Sequence, residues 1–254
     1  MNEMELLKVE GLSKSYPAFT LKNVSFSLKE GRIMGFIGKN GAGKSTTLKS
    51  MLGMVHPDSG AISMFGRDFR EEEGYCKQNM GIVLGGIDFY MKKKLKVITG
   101  VTKKFYPGWD EGNYEKYMRI FELDENKRVE ELSAGMRVKY LLALALSHHA
   151  RLLVLDEPTS GLDPVSRDEL LTIFEKLVKD GKRSILFSTH ITSDLEKCAD
   201  DITYIKDGEI VKCSGKKEFL DSFQSLREPG EKELSLEEIM VKMERKNYDE
   251  EFAL

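Results

Sequence analysis

Cysteine is scarce in this sequence. The three present, Cys76, Cys198 and Cys213, are far apart, odd in number and without metal-ligand spacing. Such a pattern supplies neither a disulfide framework nor a zinc site, and it reads as reduced thiols in an intracellular protein. Long apolar runs are missing as well. No stretch reaches the roughly 18 apolar residues that a membrane-spanning helix needs. Residues Met1 to Glu10 are charged and hold no apolar core of signal-peptide length. The expectation is therefore a soluble, cytoplasmic chain that does not itself cross a membrane. A dominant charge is lacking too, since 39 Lys and Arg against 42 Asp and Glu leave a net charge of -3. That balance gives no electrostatic reason to expect nucleic acid as the main partner. Short basic clusters such as Lys92 to Lys94 read as a solvated face or loop. There is no internal repeat and no low-complexity segment.

What is present is enough for a sizeable core, with 41% hydrophobic and 32% charged residues over 254 positions. That length is generous for one compact domain but suits a single α/β domain carrying an insertion. Val24, Phe26 and Leu28 alternate with Ser25 and Ser27, as in a half-buried antiparallel strand. Ile33 to Ile37 is a short apolar run that reads as a buried strand. A helix is predicted from about Lys44 to Leu52, then a strand over Ala61 to Phe65. From about Asp88 to Leu132 the chain turns rich in Lys, Glu, Tyr and Phe, and it reads as an inserted helical subdomain. A leucine-rich helix (Val138 to His149), an apolar strand (Leu152 to Leu155), a helix (Pro164 to Lys179) and a strand (Ser184 to Phe187) follow. Alternating strands and helices predict a mostly parallel sheet covered on both faces. The organisation expected is a main unit over 1–225, with a helical insertion at about 88–150. A charged tail over 226–254 follows, with a short amphipathic helix near Leu236 to Met243 and frayed last residues.

The chemistry concentrates in three places. Residues 38 to 45 read Gly-Lys-Asn-Gly-Ala-Gly-Lys-Ser, the P-loop pattern, set between an apolar strand and a helix. Glycines let backbone N–H groups curl around the β- and γ-phosphates, while the following helix aims its positive dipole end at them. Gly38, Lys39, Asn40, Gly41, Ala42, Gly43, Lys44, Ser45 and Thr46 are therefore the candidate nucleotide-binding residues. Lys44 is a point charge for the phosphates, and Ser45 is a hydroxyl ligand for Mg2+. Next, the strand Leu152 to Leu155 ends in Asp156 and Glu157. In a doubly wound sheet that end faces the ligand crevice. There Asp156 would hold the metal, directly or through water, and Glu157 would polarise the attacking water. Third, His190 closes a Ser-Thr-His sequence after another strand, where it could contact the γ-phosphate. The plain alternative for His190 is a structural histidine.

Leu132-Ser133-Ala134-Gly135-Met136, about 20 residues before the Asp-Glu pair, resembles the signature motif of ABC ATPases, and Pro158 to Asp163 is similar to that family's D-loop. With the P-loop, the carboxylate pair and His190, five motifs stand in the family's order over roughly residues 4 to 245. The resemblance implies a P-loop NTPase fold with an N-terminal antiparallel β subdomain and an inserted α-helical subdomain. It implies ATP and Mg2+ as ligands and ATP hydrolysis as the activity. It gives Tyr16 the adenine-stacking role, with an ordinary half-buried tyrosine as the alternative. It assigns Ser133 and Gly135 to the γ-phosphate of a nucleotide held by a second cassette, and Asp163 to the interface between cassettes. A head-to-tail homodimer enclosing two ATP molecules is the expected working unit. A separate transmembrane subunit is the expected partner, which would hold the chain at the inner face of the cell membrane.

The sequence departs from the pattern where a glutamine is usual. Gly85 stands there, with Asp88 a possible stand-in and Gln78 lying before the strand rather than after it. The runs Phe105 to Asp110, Leu146 to Ala150 and Thr189 to Leu195 look like exporters of the ABC-2 kind that handle drugs, antimicrobial peptides and phenol-soluble modulins. ABC ATPases that remodel ribosomes or assembly complexes, and importer ATPases, are the alternatives. The coiled-coil arm, second cassette or basic extension of the former is not seen.

Overall fold

The computed structural model describes residues 5–84, 90–228 and 230–245. It begins with an antiparallel hairpin, β1 (Glu5–Tyr16) and β2 (Phe19–Lys29), which cross back and forth over the two-residue turn at 17–18. The alternation through Val24, Phe26 and Leu28 puts all three side chains inside. Next come β3 (Ile33–Ile37) and α1 (Lys44–Met51), then β4 (Ser59–Met64) and β5 (Arg67–Asp68). These strands form two sheets. One is four-stranded in the order β2-β1-β4-β5, with all pairs antiparallel.

The chain continues through α2 (Glu73–Gln78), β6 (Met80–Leu84), α3 (Leu95–Thr102) and α4 (Glu111–Ile120). Then follow α5 (Ala134–Ser147), β7 (Leu152–Asp156), α6 (Pro164–Val178), β8 (Ser184–Thr189) and α7 (Thr192–Cys198). The closing elements are β9 (Asp201–Lys206), β10 (Glu209–Gly215), α8 (Lys216–Ser222) and α9 (Leu236–Glu244). The second sheet has the order β10-β9-β3-β8-β7-β6 and is parallel except for the β9–β10 hairpin. Buried on both faces, β3, β7 and β8 carry the continuous apolar runs that parallel strands require.

Two hydrophobic clusters cover the two faces of this sheet. One joins the antiparallel sheet and α1 to Met34, Phe36, Val154 and Leu186. The other joins α3, α4 and α5 to Leu153, Leu155, Ile185 and Phe187, so the helical segment shares a core with the sheet. Inside that segment the Thr99 hydroxyl bonds those of Tyr114 and Tyr140 at 3.0 and 2.9 Å, and Tyr140 donates to the Leu95 carbonyl. Satisfied in this way, three buried hydroxyls fix how α3, α4 and α5 pack. The three cysteines are free thiols. Burial pushes Cys198 up to about 12, which makes it an unreactive apolar side chain at neutral pH.

Differences from the sequence reading are local. The leucine-rich helix starts at Ala134 rather than Val138, because the Ser133 hydroxyl caps it by accepting from the Met136 N–H at 3.2 Å. Strand β8 runs on to Thr189, since Ser188 and Thr189 are buried with their hydroxyls bonded. In the tail, α9 carries a capping box between Ser235 and Glu238 and buries Leu236 and Ile239. The last residues, expected to fray, lie outside the described residues, as do Gly85 and Asp88.

Candidate functional site

The site lies at the C-terminal ends of three neighbouring parallel strands, β3, β8 and β7, where a doubly wound sheet opens its ligand crevice. Register places the end of β3 beside the end of β8, with Ile37 opposite Thr189, and the end of β7 beside Ser188, opposite Asp156. Residues more than 150 positions apart in sequence thus converge by strand pairing alone.

The turn from β3 into α1 curls through left-handed glycines, Gly41 at φ 84° and Gly43 at φ 115°. Gly43 is also the N-cap of α1, and a Cβ there would lie 3.0 Å from the Phe19 ring. At Gly38 a Cβ would lie 2.3 Å from the Ile205 carbonyl oxygen. Only glycine fits both positions, the first for its φ and the second for the backbone's close approach. Lys44 folds back into the turn, 5% exposed, and its ammonium donates to the carbonyls of Gly38 at 2.7 Å and Lys39 at 3.2 Å. The same ammonium lies 3.4 Å from the Glu157 carboxylate.

Glu157 leaves β7 at φ 51°, a left-handed conformation that a non-glycine residue adopts at a cost. Its N–H is held by the hydroxyl and carbonyl oxygens of Ser188 at 3.0 and 3.2 Å. Its carboxylate is 2.8 Å from His190 Nδ1. The Ser188 hydroxyl donates to Asp156 at 2.5 Å, so one serine on β8 orients both acids. Behind the cleft, Thr159 donates to the fully buried Asp194 of α7 at 2.6 Å, tying the segment after Glu157 to the segment after His190. Burial raises the Asp194 carboxyl above the usual range.

An open cleft of about 450 Å³ is formed by the turn from Lys39 to Thr46, by Glu157, Ser160 and His190, and by Phe19, while Asp156 is not part of its lining. Asn40 and Lys39 stand at its exposed rim, whereas Ala42 is turned into the core. Tyr16 is the last residue of β1, 41% exposed, and the aromatic ring that reaches the cleft is Phe19, its partner across the hairpin. Sequence reasoning missed Phe19. Its one signal was its place on the opposite side of the same tight turn. Gln78 ends α2 before β6, and its side chain donates to the Phe105 carbonyl at 2.7 Å, apart from the cleft lining.

Ser133, Gly135 and Asp163 do not line this cleft. Ser133 and Asp163 are exposed on a separate surface, and Gly135 is buried beneath it, where a Cβ would meet Ser166 and Leu162 at 3.6–3.7 Å. Ser133 and Asp163 are the N-caps of α5 and α6, so two helix N-termini open side by side. Asp163 accepts from the N–H groups of Val165 and Ser166 at 3.0 Å. Its bonds to Ser166 hold its carboxyl below the usual range.

A glycine-rich turn cradling a lysine before a helix, with two acids and a histidine at the ends of the adjacent strands, defines a P-loop nucleoside triphosphatase cassette. The family model described as ABC transporter matches residues 21–160. The bacitracin transport ATP-binding protein BcrA of Bacillus licheniformis is 30% identical, across 82% of this chain and 69% of its own length. The lantibiotic transport ATP-binding protein SrtF of Streptococcus pyogenes is 33% identical, across 81% of this chain and 89% of its own. A solved ATP-binding subunit of an ABC transporter superposes with a TM-score of 0.81 at 29% identity, over 94% of this chain and all of that one. The chain belongs to the ABC transporter family and is an ATP-hydrolysing, ATP-binding subunit.

Proposed function

We propose that this chain powers an exporter of drugs or peptides, working as a homodimer that closes on two Mg-ATP molecules. The observation that carries this reading is the convergence of Lys44, Glu157 and His190 on one cleft, with Asp156 held beside Glu157 by Ser188, while Ser133 and Asp163 are exposed on another surface of the same chain, next to the buried Gly135. A second copy placed head to tail would bring those outward residues onto the phosphates of the first.

In this reading the Gly38–Thr46 turn and the N-terminus of α1 bind the β- and γ-phosphates. A γ-phosphate beside Lys44 takes the ammonium that now lies 3.4 Å from Glu157, and leaves the carboxylate to His190 and to water. Glu157 accepts a proton from the attacking water, and His190 holds Glu157 in place and can itself touch the γ-phosphate. Tyr16, or Phe19 across its turn, supplies the aromatic face for adenine. Among the described residues no cluster of three or more His, Cys, Asp or Glu forms a metal cage. Mg2+ needs none, because it usually arrives with the phosphates and takes only one or two protein oxygens. Ser45 and Asp156 provide such hard oxygens, and the ion would neutralise charge building on the phosphates.

Among the described residues no helix is long and apolar enough to cross a membrane. The partner is a separate transmembrane subunit, and this places the chain at the inner face of the membrane. An apolar stripe on the helical segment supports such a partner. Val97, Val101 and Phe105 recur every four residues along α3 and the helical turn after it, at 48%, 52% and 68% exposure. The opposite face, Leu95, Ile98 and Thr99, is the buried one. The drug or peptide class rests on the relatives named for bacitracin and lantibiotic transport.

Val101→Asp puts a charge in the middle of this stripe without touching the cleft. In cells the wild-type chain is expected to sediment with membranes and the variant to stay largely in the supernatant. Purified, both should hydrolyse ATP equally. A variant that still sediments with membranes would remove the stripe from the account.

A further inference from the structure

Within the described residues of the charged tail, the last turn of helix α9 lies on the phosphate-binding turn. Helix α9 is anchored by Leu236 and Ile239 in the core, and by Glu196 of α7, which accepts from the Leu236 N–H at 3.0 Å. Its last turn meets two lysines. Lys206 of β9 donates to the Met243 carbonyl at 2.7 Å. Lys39, second residue of the P-loop, donates to the Glu244 carbonyl at 2.5 Å and lies 3.0 Å from its carboxylate. Cations at a helix C-terminus meet its negative dipole end, so both contacts are favourable. The other carboxylate oxygen of Glu244 accepts from the Tyr204 hydroxyl at 2.5 Å. Burial, then the Glu244 carboxylate, hold that hydroxyl protonated, so it serves as donor. Glu244 is 10% exposed and Lys39 53%, so the acid is fixed in the protein while the lysine reaches over from the rim of the cleft.

We propose that Glu244 is a positioning residue of the nucleotide site: it holds the Lys39 ammonium on the end of α9 and so competes with a triphosphate for it. The inference rests on the reading that the Gly38–Thr46 turn binds the phosphates. A nucleoside triphosphate brings three to four negative charges to a turn whose second residue is already paired with a carboxylate. Removing the negative charge of Glu244 therefore releases the Lys39 ammonium to the triphosphate, beyond the simple loss of a repelling charge, and strengthens binding. Because the pair is half exposed, water and salt screen it and the effect is modest. Binding of the triphosphate loosens α9 by the same factor, since such coupling is reciprocal.

The test measures KM and kcat for ATP in full-length wild type, Glu244→Gln, Lys39→Met and the double variant, at low and high salt. Glu244→Gln should lower KM about two- to fivefold at low salt, the span of an exposed ion pair, with kcat within about twofold and the difference shrinking as salt rises. In the Lys39→Met background, where no ammonium is left to release, the fall in KM caused by Glu244→Gln should be clearly smaller. Tyr204→Phe disturbs the same end of α9 but leaves the carboxylate on Lys39, and its KM should match wild type. An unchanged or raised KM in Glu244→Gln would overturn the proposal. So would an equal fall in the Lys39→Met background, or in Tyr204→Phe, because either means that loosened packing and not the charge is at work. If Lys44→Ala leaves ATP affinity untouched, the phosphate-turn reading itself fails, and this inference fails with it.

Discussion

Replacing Glu157 by Gln is expected to cut ATP hydrolysis by about 10²- to 10⁴-fold, the usual span for loss of a positioned proton acceptor, while ATP affinity stays within a few fold. Lys44 and the glycine turn hold the phosphates without Glu157, since the lysine ammonium has its own support from the Gly38 and Lys39 carbonyls. An amide can still bond His190 and keep the φ 51° backbone, which depends on the Ser188 bonds to the main-chain N–H and not on the side chain. What the amide cannot do is take a proton. The check is steady-state phosphate release beside equilibrium binding of ATP. Near-normal hydrolysis would move the proton acceptor elsewhere, with His190 the next group at hand.

The second large effect concerns Ser133. As the N-cap of α5 its hydroxyl has a structural duty, and replacing it with alanine would confuse lost capping with lost phosphate contact. Ser133→Asp separates the two. Aspartate caps as well as serine and suits the helix dipole, so stability should hold within about 0.5 kcal/mol. Yet it aims a carboxylate where a partner's γ-phosphate would sit. Hydrolysis is expected to fall by about 10²-fold or more, comparable to losing one donor aimed at developing charge. Binding of ATP to the single chain should be unchanged. Mixing Ser133→Asp with Lys44→Ala sharpens the result. Each variant alone has two broken sites, but a mixed dimer holds one intact site, with Lys44 from one copy and Ser133 from the other. Activity should reappear on mixing. Two inactive variants that stay inactive together would mean that Ser133 does not act across a dimer.

Much of this site was legible because it is written locally. The P-loop is a contiguous run, and the acids and His190 each end an apolar strand, so strand order alone brings them together. The signature surface was legible only through resemblance, and the geometry adds that its two helix N-termini adjoin. What the sequence hid is what depends on distant or short-range detail. The glycine at position 135 weakens the helical pattern, which masked the first turn of α5 until the Ser133 cap was seen. Helices α2 and α7, six and seven residues long, fall below the length at which apolar periodicity identifies a helix. Phe19 reaches the cleft because the β1–β2 turn is tight, and not because of any motif. Nothing in the string joins Glu244 to Lys39, 205 positions earlier, since the charged tail reads as solvated until α9 is packed.

Whether ATP is held between two copies of this chain is tested most directly by one measurement. Light scattering on Glu157→Gln, with and without Mg-ATP, reads the mass while hydrolysis is blocked. The expected result is 28.9 kDa without nucleotide and twice that with Mg-ATP. A chain that binds ATP yet keeps the monomer mass would contradict the homodimer and leave the exposed Ser133 and Asp163, with the buried Gly135 beside them, to a different partner.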